Sequence, residues 1–312
     1  MAKPNYLCDL HMHSVRSDGN DTVRELIDNA AALGMKAIAL TDHDVRPPET
    51  IDVDSATISP REYARRKGLC FIPGIEYSCD TYVDDVHIVG LGCDFGHSAL
   101  ADIEQAMEKS KMDGYRKLTE VLCENGFHVT WDDVLAGGGG RKPEQVQRKH
   151  IFEAIAAKGC CASWQEAKLL VRDNPKFNVR RDKIDPVEAI RAIHAAGGIA
   201  ILAHPYLIDA HIHTEDGRDM SRDAYIERLI SAGLDGIEAA YTYHKTSYKG
   251  NLSKEHIERE VREKYEPRLS VISGGSDYHA DGKKGVQNPR MIGEAGVTFE
   301  YFRENPVLKR FL

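Results

Sequence analysis

Short apolar runs recur along the chain, most of them followed at once by a polar or charged cluster, with helical periodicity between them. The runs 6–9, 37–41, 69–73, 86–91, 199–203, 236–240, 269–273 and 296–299 have the length and aliphatic content of buried strands. Their alternation with helical patterns predicts βα units and a mostly parallel sheet. The first helix is marked at both ends. Thr22 and Glu25 form a capping box, Val23, Leu26, Ile27, Ala30 and Leu33 fall on one face, and Gly34 ends it. A second helix begins at Asp185, with Pro186 in its first position and Glu188 in its first turn, and stops near Gly197 and Gly198.

Strand patterns vanish between 100 and 182. Helical patterns over 100–124 and 144–158, and a helix capped by Ser163 and Glu166, take their place, with Gly137 to Gly140 as a flexible break. The pattern predicts an α-helical insertion, 100–182, between the fourth and fifth strands of a domain made of 1–99 and 183–312. Seven or eight strands that carry polar clusters at one end suggest a closed barrel over an open sheet.

Composition narrows the class. A chain of 312 residues with 42% hydrophobic and 29% charged residues fits a globular protein with one large α/β domain. No run approaches the length needed to span a bilayer, so no membrane partner is expected. The start lacks the apolar core of a signal peptide, and seven cysteines without a CxxC pair read as reduced thiols, which together point to the cytoplasm. The net charge of −8 disfavours a long nucleic-acid partner. That charge is uneven: residues 141–183 carry eleven Lys/Arg against five Asp/Glu, a local +6, which leaves −14 on the remainder. The insertion is either a solvated basic face or a cationic lid for an anionic substrate.

The polar clusters hold the chemistry. His11 and His13 are two apart after the first run, a spacing that points both imidazoles to one side of an extended backbone. Asp9 stands two residues earlier and is placed to orient an imidazole. Asp18 follows in Ser17-Asp18-Gly19, Asp42-His43-Asp44 ends the second run, Glu76 follows the third, His87 lies in the fourth, His204 precedes Pro205, and Asp277 and His279 repeat the i, i+2 spacing. Each has a plain alternative: polar strand-end histidines, a capped turn at Asp42, a satisfied core histidine at 87. Together they place imidazole and carboxylate, the donors that hold catalytic Mn, Zn or Fe, at the same end of successive strands. This pattern predicts a metal-dependent hydrolase. His97, His128, His194, His213 and His256 lack such context and read as surface or packing residues.

The ordered motifs DLHMHS…SDG, TDHD, GIE, HIVGLG, AHP and GSDYH resemble those of the PHP family of phosphoesterases, across 6–94 and 185–300. The resemblance implies a distorted (β/α)7 barrel and a centre of three divalent metal ions. By motif matching, His11, His13, Glu76 and Asp277 would hold the first ion, Glu76 would be shared with a second completed by His87 and His204, and Asp18, His43 and His279 would hold the third. The insertion resembles a stand-alone branch related to nucleotide bisphosphate phosphatases, where an Arg-x-His-Phe motif contacts phosphate. Here Arg148, Lys149, His150, Ile151 and Phe152 match it with one residue added before Phe. The expected partner is a small phosphorylated metabolite, as monoester or cyclic phosphodiester, hydrolysed by a hydroxide shared between two cations. Arg148 and Lys149 are candidate phosphate contacts, Tyr243 and Lys245 candidate pocket residues, and His150 and His244 candidate general acids. The alternatives are an oligonucleotide exonuclease, an amide hydrolase, which needs no basic lid, and a metal-binding domain without catalysis.

Overall fold

Alternate residues of each parallel strand face different layers, and this sorts the core. On the strand Ala37–Leu40, Ala37 and Ala39 join Cys8, Leu10, Ile72, Val89, Ile199, Ile201 and Val271 in one apolar cluster. Ile38 and Leu40 turn the other way, onto Leu26, Ile27 and Ala30 of the helix Val23–Ala32. The structure, a computed structural model, describes residues 4–214, 217 and 219–312, apart from the side chain of Glu144. Among the described residues no helix is long and apolar enough to cross a membrane.

Seven strands form one sheet in sequence order: β1 (Cys8–Asp9), β2 (Ala37–Leu40), β3 (Cys70–Ser78), β4 (His87–Leu91), β5 (Ile199–Leu202), β6 (Gly236–Ala240) and β7 (Val271–Gly274). The pairs β1–β2, β2–β3, β5–β6 and β6–β7 are parallel, while β4 runs antiparallel to both neighbours. The sheet nearly closes. Leu10 N–H donates to Gly274 at 3.2 Å, Asp277 N–H to the His11 carbonyl at 2.9 Å, and His13 N–H to the Tyr278 carbonyl at 2.9 Å. The fold is thus a distorted (β/α)7 barrel. The run 296–299 is not an eighth strand. Val297 makes one antiparallel bridge to Cys8, and Thr298 then caps the helix Phe299–Glu304 by accepting from Tyr301 N–H.

The last residues seal one end of the barrel. Phe302 and Leu308 are buried in the barrel cluster, Cys70 Sγ donates to the Phe311 carbonyl, Asn305 to the Ser270 carbonyl, and Arg310 to the Gly197 carbonyl. These contacts lie where β3, β5 and β7 begin, so a site can open only at the ends where the parallel strands finish. His87 reaches that end for a different reason. It is the first residue of the antiparallel strand, and its register pairs it with Ser78, the last residue of β3.

Contacts divide the chain into two units, residues to Asp102 with Ile184–Leu312, and Ile103–Lys183. The second unit is helical, with Trp131–Ala136, Arg148–Ala157 and Trp164–Arg172 around Leu118, Leu122, Val134, Ile151, Phe152, Val171 and Phe177. The helix expected from 144 starts at Arg148, after a turn at Pro143–Gln145. Gly138, Gly139 and Gly140 all have positive φ, as the turn there demands.

Gly275 is required by close approach. A Cβ there would lie 2.2 Å from His11 Cβ and 2.6 Å from its backbone nitrogen. Gly275→Ala is expected to lower stability by about 1–3 kcal/mol, the usual cost of overpacking, and to displace His11. Urea unfolding beside the wild type checks this; an unchanged midpoint contradicts the closure described.

Candidate metal centre

The nine expected ligand residues lie in the barrel unit, at the end left open by the C-terminal seal. Glu76 is the hub. Its Oε2 lies 3.2 Å from His11 Nε2, 3.2 Å from His13 Nε2 and 3.0 Å from His43 Nδ1. Its Oε1 lies 2.9 Å from His87 Nδ1 and 3.1 Å from His204 Nε2. Asp277 Oδ1 is 3.0 Å from His13 Nε2 and 3.6 Å from His11 Nε2, which completes the first quartet. Asp18 Oδ1 is 3.0 Å from His279 Nε2 and 3.8 Å from His13 Nδ1.

Among the described residues, three groups have donor atoms within 4.8 Å of one another: His13, Asp18, His43 and His279; His11, His13 and Glu76; and His43, Glu76 and His87. His13 and His43 each belong to two groups, whereas motif matching gave each of them to one.

This donor set fits divalent cations. Five imidazole nitrogens crowd one buried carboxylate, more than its roughly four lone-pair sites can accept from. His11 Nε2 and His13 Nε2 face each other at 3.1 Å, so protons on both would point at one another. Glu76 Oε2, His13 Nδ1, His43 Nδ1 and His204 Nδ1 are buried without an aligned hydrogen bond. Unpaired buried polar atoms are costly, and an N/O donor set of this kind suits Mn, Zn or Fe.

Protons compete for the same atoms. Burial opposes charge on His13, but bonding to Asp277 and Glu76 outweighs it and raises its pKa to about 9. Burial likewise opposes charge on His11, and the Glu76 and Glu238 carboxylates raise it well above the usual range. His43 goes down to about 4, through burial first and the charges of His13 and His87 next, against the pull of Glu76. Burial raises Glu76, yet the histidine charges hold it well below the carboxylate range.

The surrounding carboxylates serve as ties. Asp9 does not orient an imidazole. It is fully buried and accepts from Ser276 N–H at 2.9 Å, Ser276 Oγ at 2.6 Å and Gly293 N–H at 2.8 Å, joining β1 to the segment after β7. Asp42 accepts from Ser14 N–H, Ser14 Oγ and Ser17 Oγ, each at 2.7 Å, and so holds the loop that carries Asp18. Asp277 Oδ2 accepts from Tyr241 at 2.7 Å and from Arg290, which also grips Asp281. Sequence reasoning missed Arg290 and Glu238. Glu238 is buried in β6, with His11 Nδ1 at 2.9 Å and the His204 N–H at 2.8 Å. A lone acid inside the run Gly236–Ala240 was the available signal.

The expected pocket loop behaves differently. Tyr243 is fully buried, its hydroxyl accepting from Tyr206 N–H, and it offers a ligand no surface. The Lys245 ammonium is neutralised by Glu294 at 2.7 Å and donates to the Pro289 carbonyl at 2.9 Å. His244 lies 3.5 Å from Glu294, its pKa lowered by burial and by the Lys254 charge. In the insertion, Arg148 is exposed over the Phe152 ring and lines a cleft of about 430 Å³ with Lys168, Arg172 and Asn178. Lys149 points to Glu153 at 3.6 Å, and His150 Nδ1 accepts from Gln147 N–H at 3.0 Å, capping its helix.

Comparisons with known proteins place the chain in a family. The family model described as PHP domain matches residues 9–192. A phosphoribosyl 1,2-cyclic phosphate 1,2-diphosphodiesterase of Eggerthella lenta is 29% identical over 276 residues, 87% of this chain and 93% of that protein. A 3',5'-nucleoside bisphosphate phosphatase of Chromobacterium violaceum is 32% identical over 284 residues, 89% of this chain and 88% of its own. A solved structure from Bifidobacterium adolescentis, described as a candidate metal-dependent phosphoesterase, superposes with TM-score 0.64 at 27% identity, covering 99% of this chain and 98% of that one. Phosphoesterase relatives that match nearly end to end, and a family model that takes in the first four strands and the insertion, make this chain a metal-dependent phosphoesterase of the PHP domain family.

Proposed function

We propose that this chain hydrolyses a small phosphorylated metabolite, as a phosphate monoester or a cyclic phosphodiester, with three divalent ions held by His11, His13, Asp18, His43, Glu76, His87, His204, Asp277 and His279. The observation that carries this reading is the Glu76 carboxylate, which faces five imidazole nitrogens within 3.2 Å. Bound divalent ions would supply an acidified water at neutral pH and positive charge against the phosphate oxygens. The chain's part is arrangement. Glu76 divides its two oxygens between two groups of histidines. Asp277 turns Oδ1 inward because Tyr241 and Arg290 hold Oδ2. Asp42 steadies the loop of Asp18, the most exposed of the nine.

The relatives' names support a small substrate. Both describe a sugar unit with two phosphate groups. A second phosphate would give the cations of the insertion a role, and Arg148 is the residue proposed to bind it. A guanidinium grips phosphate through two parallel donors. The exonuclease reading is weaker, since a residual −14 outside 141–183 repels a long polyanion.

Phosphate release by Mn-loaded protein tests the reading on a panel of sugar and nucleoside bisphosphates, cyclic phosphates, short oligonucleotides and simple amides. Turnover is expected on a small phosphate ester. Cleavage of amides alone would overturn the assignment. Glu76→Ala should reduce turnover by more than the roughly 10–100-fold typical of losing an outer-shell partner, because two groups of donors lose their shared oxygen pair.

Metal binding should release protons at pH 7, since His13, raised to about 9, is protonated there without a cation. Calorimetry in buffers of different ionisation enthalpy reads this directly. A binding enthalpy independent of buffer would contradict it.

Arg148→Lys should keep fold and metal content and lower kcat/KM by roughly tenfold to a hundredfold, since a charge-assisted hydrogen bond contributes about 1.5–3 kcal/mol. Wild-type kinetics in Arg148→Ala would reduce the basic segment to a solvated face.

A further inference from the structure

The carboxylate of Glu238 has no part in the set of nine, yet it touches two of its members. It is 1% exposed and sits in the strand Gly236–Ala240 among apolar neighbours. Burying a charge there is unfavourable unless each oxygen is satisfied. Both are. Oε1 lies 2.9 Å from His11 Nδ1, and Oε2 accepts the backbone N–H of His204 at 2.8 Å. The register of β6 on β7 shifts between Glu238 and Ala240, the kind of irregularity that re-aims a side chain.

The two bonds act on different properties. A carboxylate oxygen facing Nδ1 accepts from it, so when His11 carries a single proton that proton is drawn to Nδ1 and Nε2 is free for a cation. His11 Nε2 lies 3.2 Å from Glu76 Oε2, on the inner side. His204 has the sparsely populated backbone angles φ 27 and ψ 58, which must be held by its surroundings. Its N–H bond to Glu238 supplies one such restraint, and its Nε2 lies 3.1 Å from Glu76 Oε1. The same two histidines are therefore gripped from outside by Glu238 and face Glu76 on the inside.

We propose that Glu238 is a positioning residue which sets the tautomer of His11 and the placement of His204, so that both present Nε2 to the metal centre. This rests on the metal reading above. A bystander carboxylate that merely fills β6 would leave the tautomer indifferent, and that separates the two roles.

Glu238→Gln is the informative change. A glutamine has one accepting end and one donating end. The His204 N–H cannot become an acceptor, so the amide oxygen must turn to it. The amide NH2 then faces His11 Nδ1, which can only accept, and the proton moves to Nε2, the atom needed for a metal. Mn2+ binding, followed by electron paramagnetic resonance of the free ion, should weaken by roughly 10–100-fold for at least one ion, the range for loss of an outer-shell partner. Circular dichroism should stay that of the wild type. An unchanged Mn2+ titration in the folded variant overturns the proposal.

A second measurement needs no variant. In Zn2+-loaded wild-type protein, 15N–1H spectra should show the His11 proton on Nδ1. A proton on Nε2 overturns the proposal even if Glu238→Gln does not fold. Wild-type protein that binds neither ion would instead refute the metal reading itself, and this role with it.

Discussion

Five imidazole nitrogens around the Glu76 carboxylate cannot be satisfied by hydrogen bonding alone, and the rest of the structure follows from that excess. In a metal-free protein the cluster is held together by shared protons, which the pKa directions of His11, His13 and Glu76 express. Divalent cations would resolve the conflict by accepting the nitrogen lone pairs that now crowd one carboxylate. Few arrangements of strands could bring so many imidazoles to one carboxylate. A nearly closed seven-stranded barrel does so by ending its parallel strands in one ring, and its single antiparallel strand brings His87 to the same ring from its own beginning.

Behind the inner ligands stands a second ring of acids with a different task. Asp9 ties the first strand to the segment after the last, Asp42 fixes the loop of Asp18, and Glu238 links ligands from two strands. Each has its oxygens turned to donors from elements distant in sequence. Such ties hold the inner donors in place. They also explain how a protein of net charge −8 can bury so many carboxylates at one end of its barrel.

Much of this was legible in the sequence because the barrel gathers its candidate ligands at strand ends. An apolar run followed closely by His or Asp is a local signal, and His11, His43 and His204 carry it, while Asp277 and His279 are marked by their i, i+2 spacing. What depends on register or on long-range pairing was not legible. His87 lies inside the run Val86–Val89 and is singled out only through the family motif, because the antiparallel pairing with Ser78 is what brings it to the mouth. Glu238 is one acid inside a strand, and its meaning comes from His11, far away in sequence. Asp9 has the spacing of an imidazole partner but finds Ser276 and Gly293 instead. Tyr243 and Lys245 look like a pocket loop until Tyr206 and Glu294 are seen to occupy them. The helix Trp131–Ala136 was announced by Thr130 and Asp133, a reciprocal cap, yet the glycines that follow masked it.

The central claim is that Glu76 shares divalent cations with the histidines around it. Anomalous X-ray scattering from crystals grown with Mn2+ tests it most directly, because it locates the ions without reference to activity. The account predicts anomalous peaks on both oxygens of Glu76, each in contact with imidazole nitrogens, and a further peak between Asp18 and His279. Ordered crystals in Mn2+ with no anomalous density at Glu76 would contradict it.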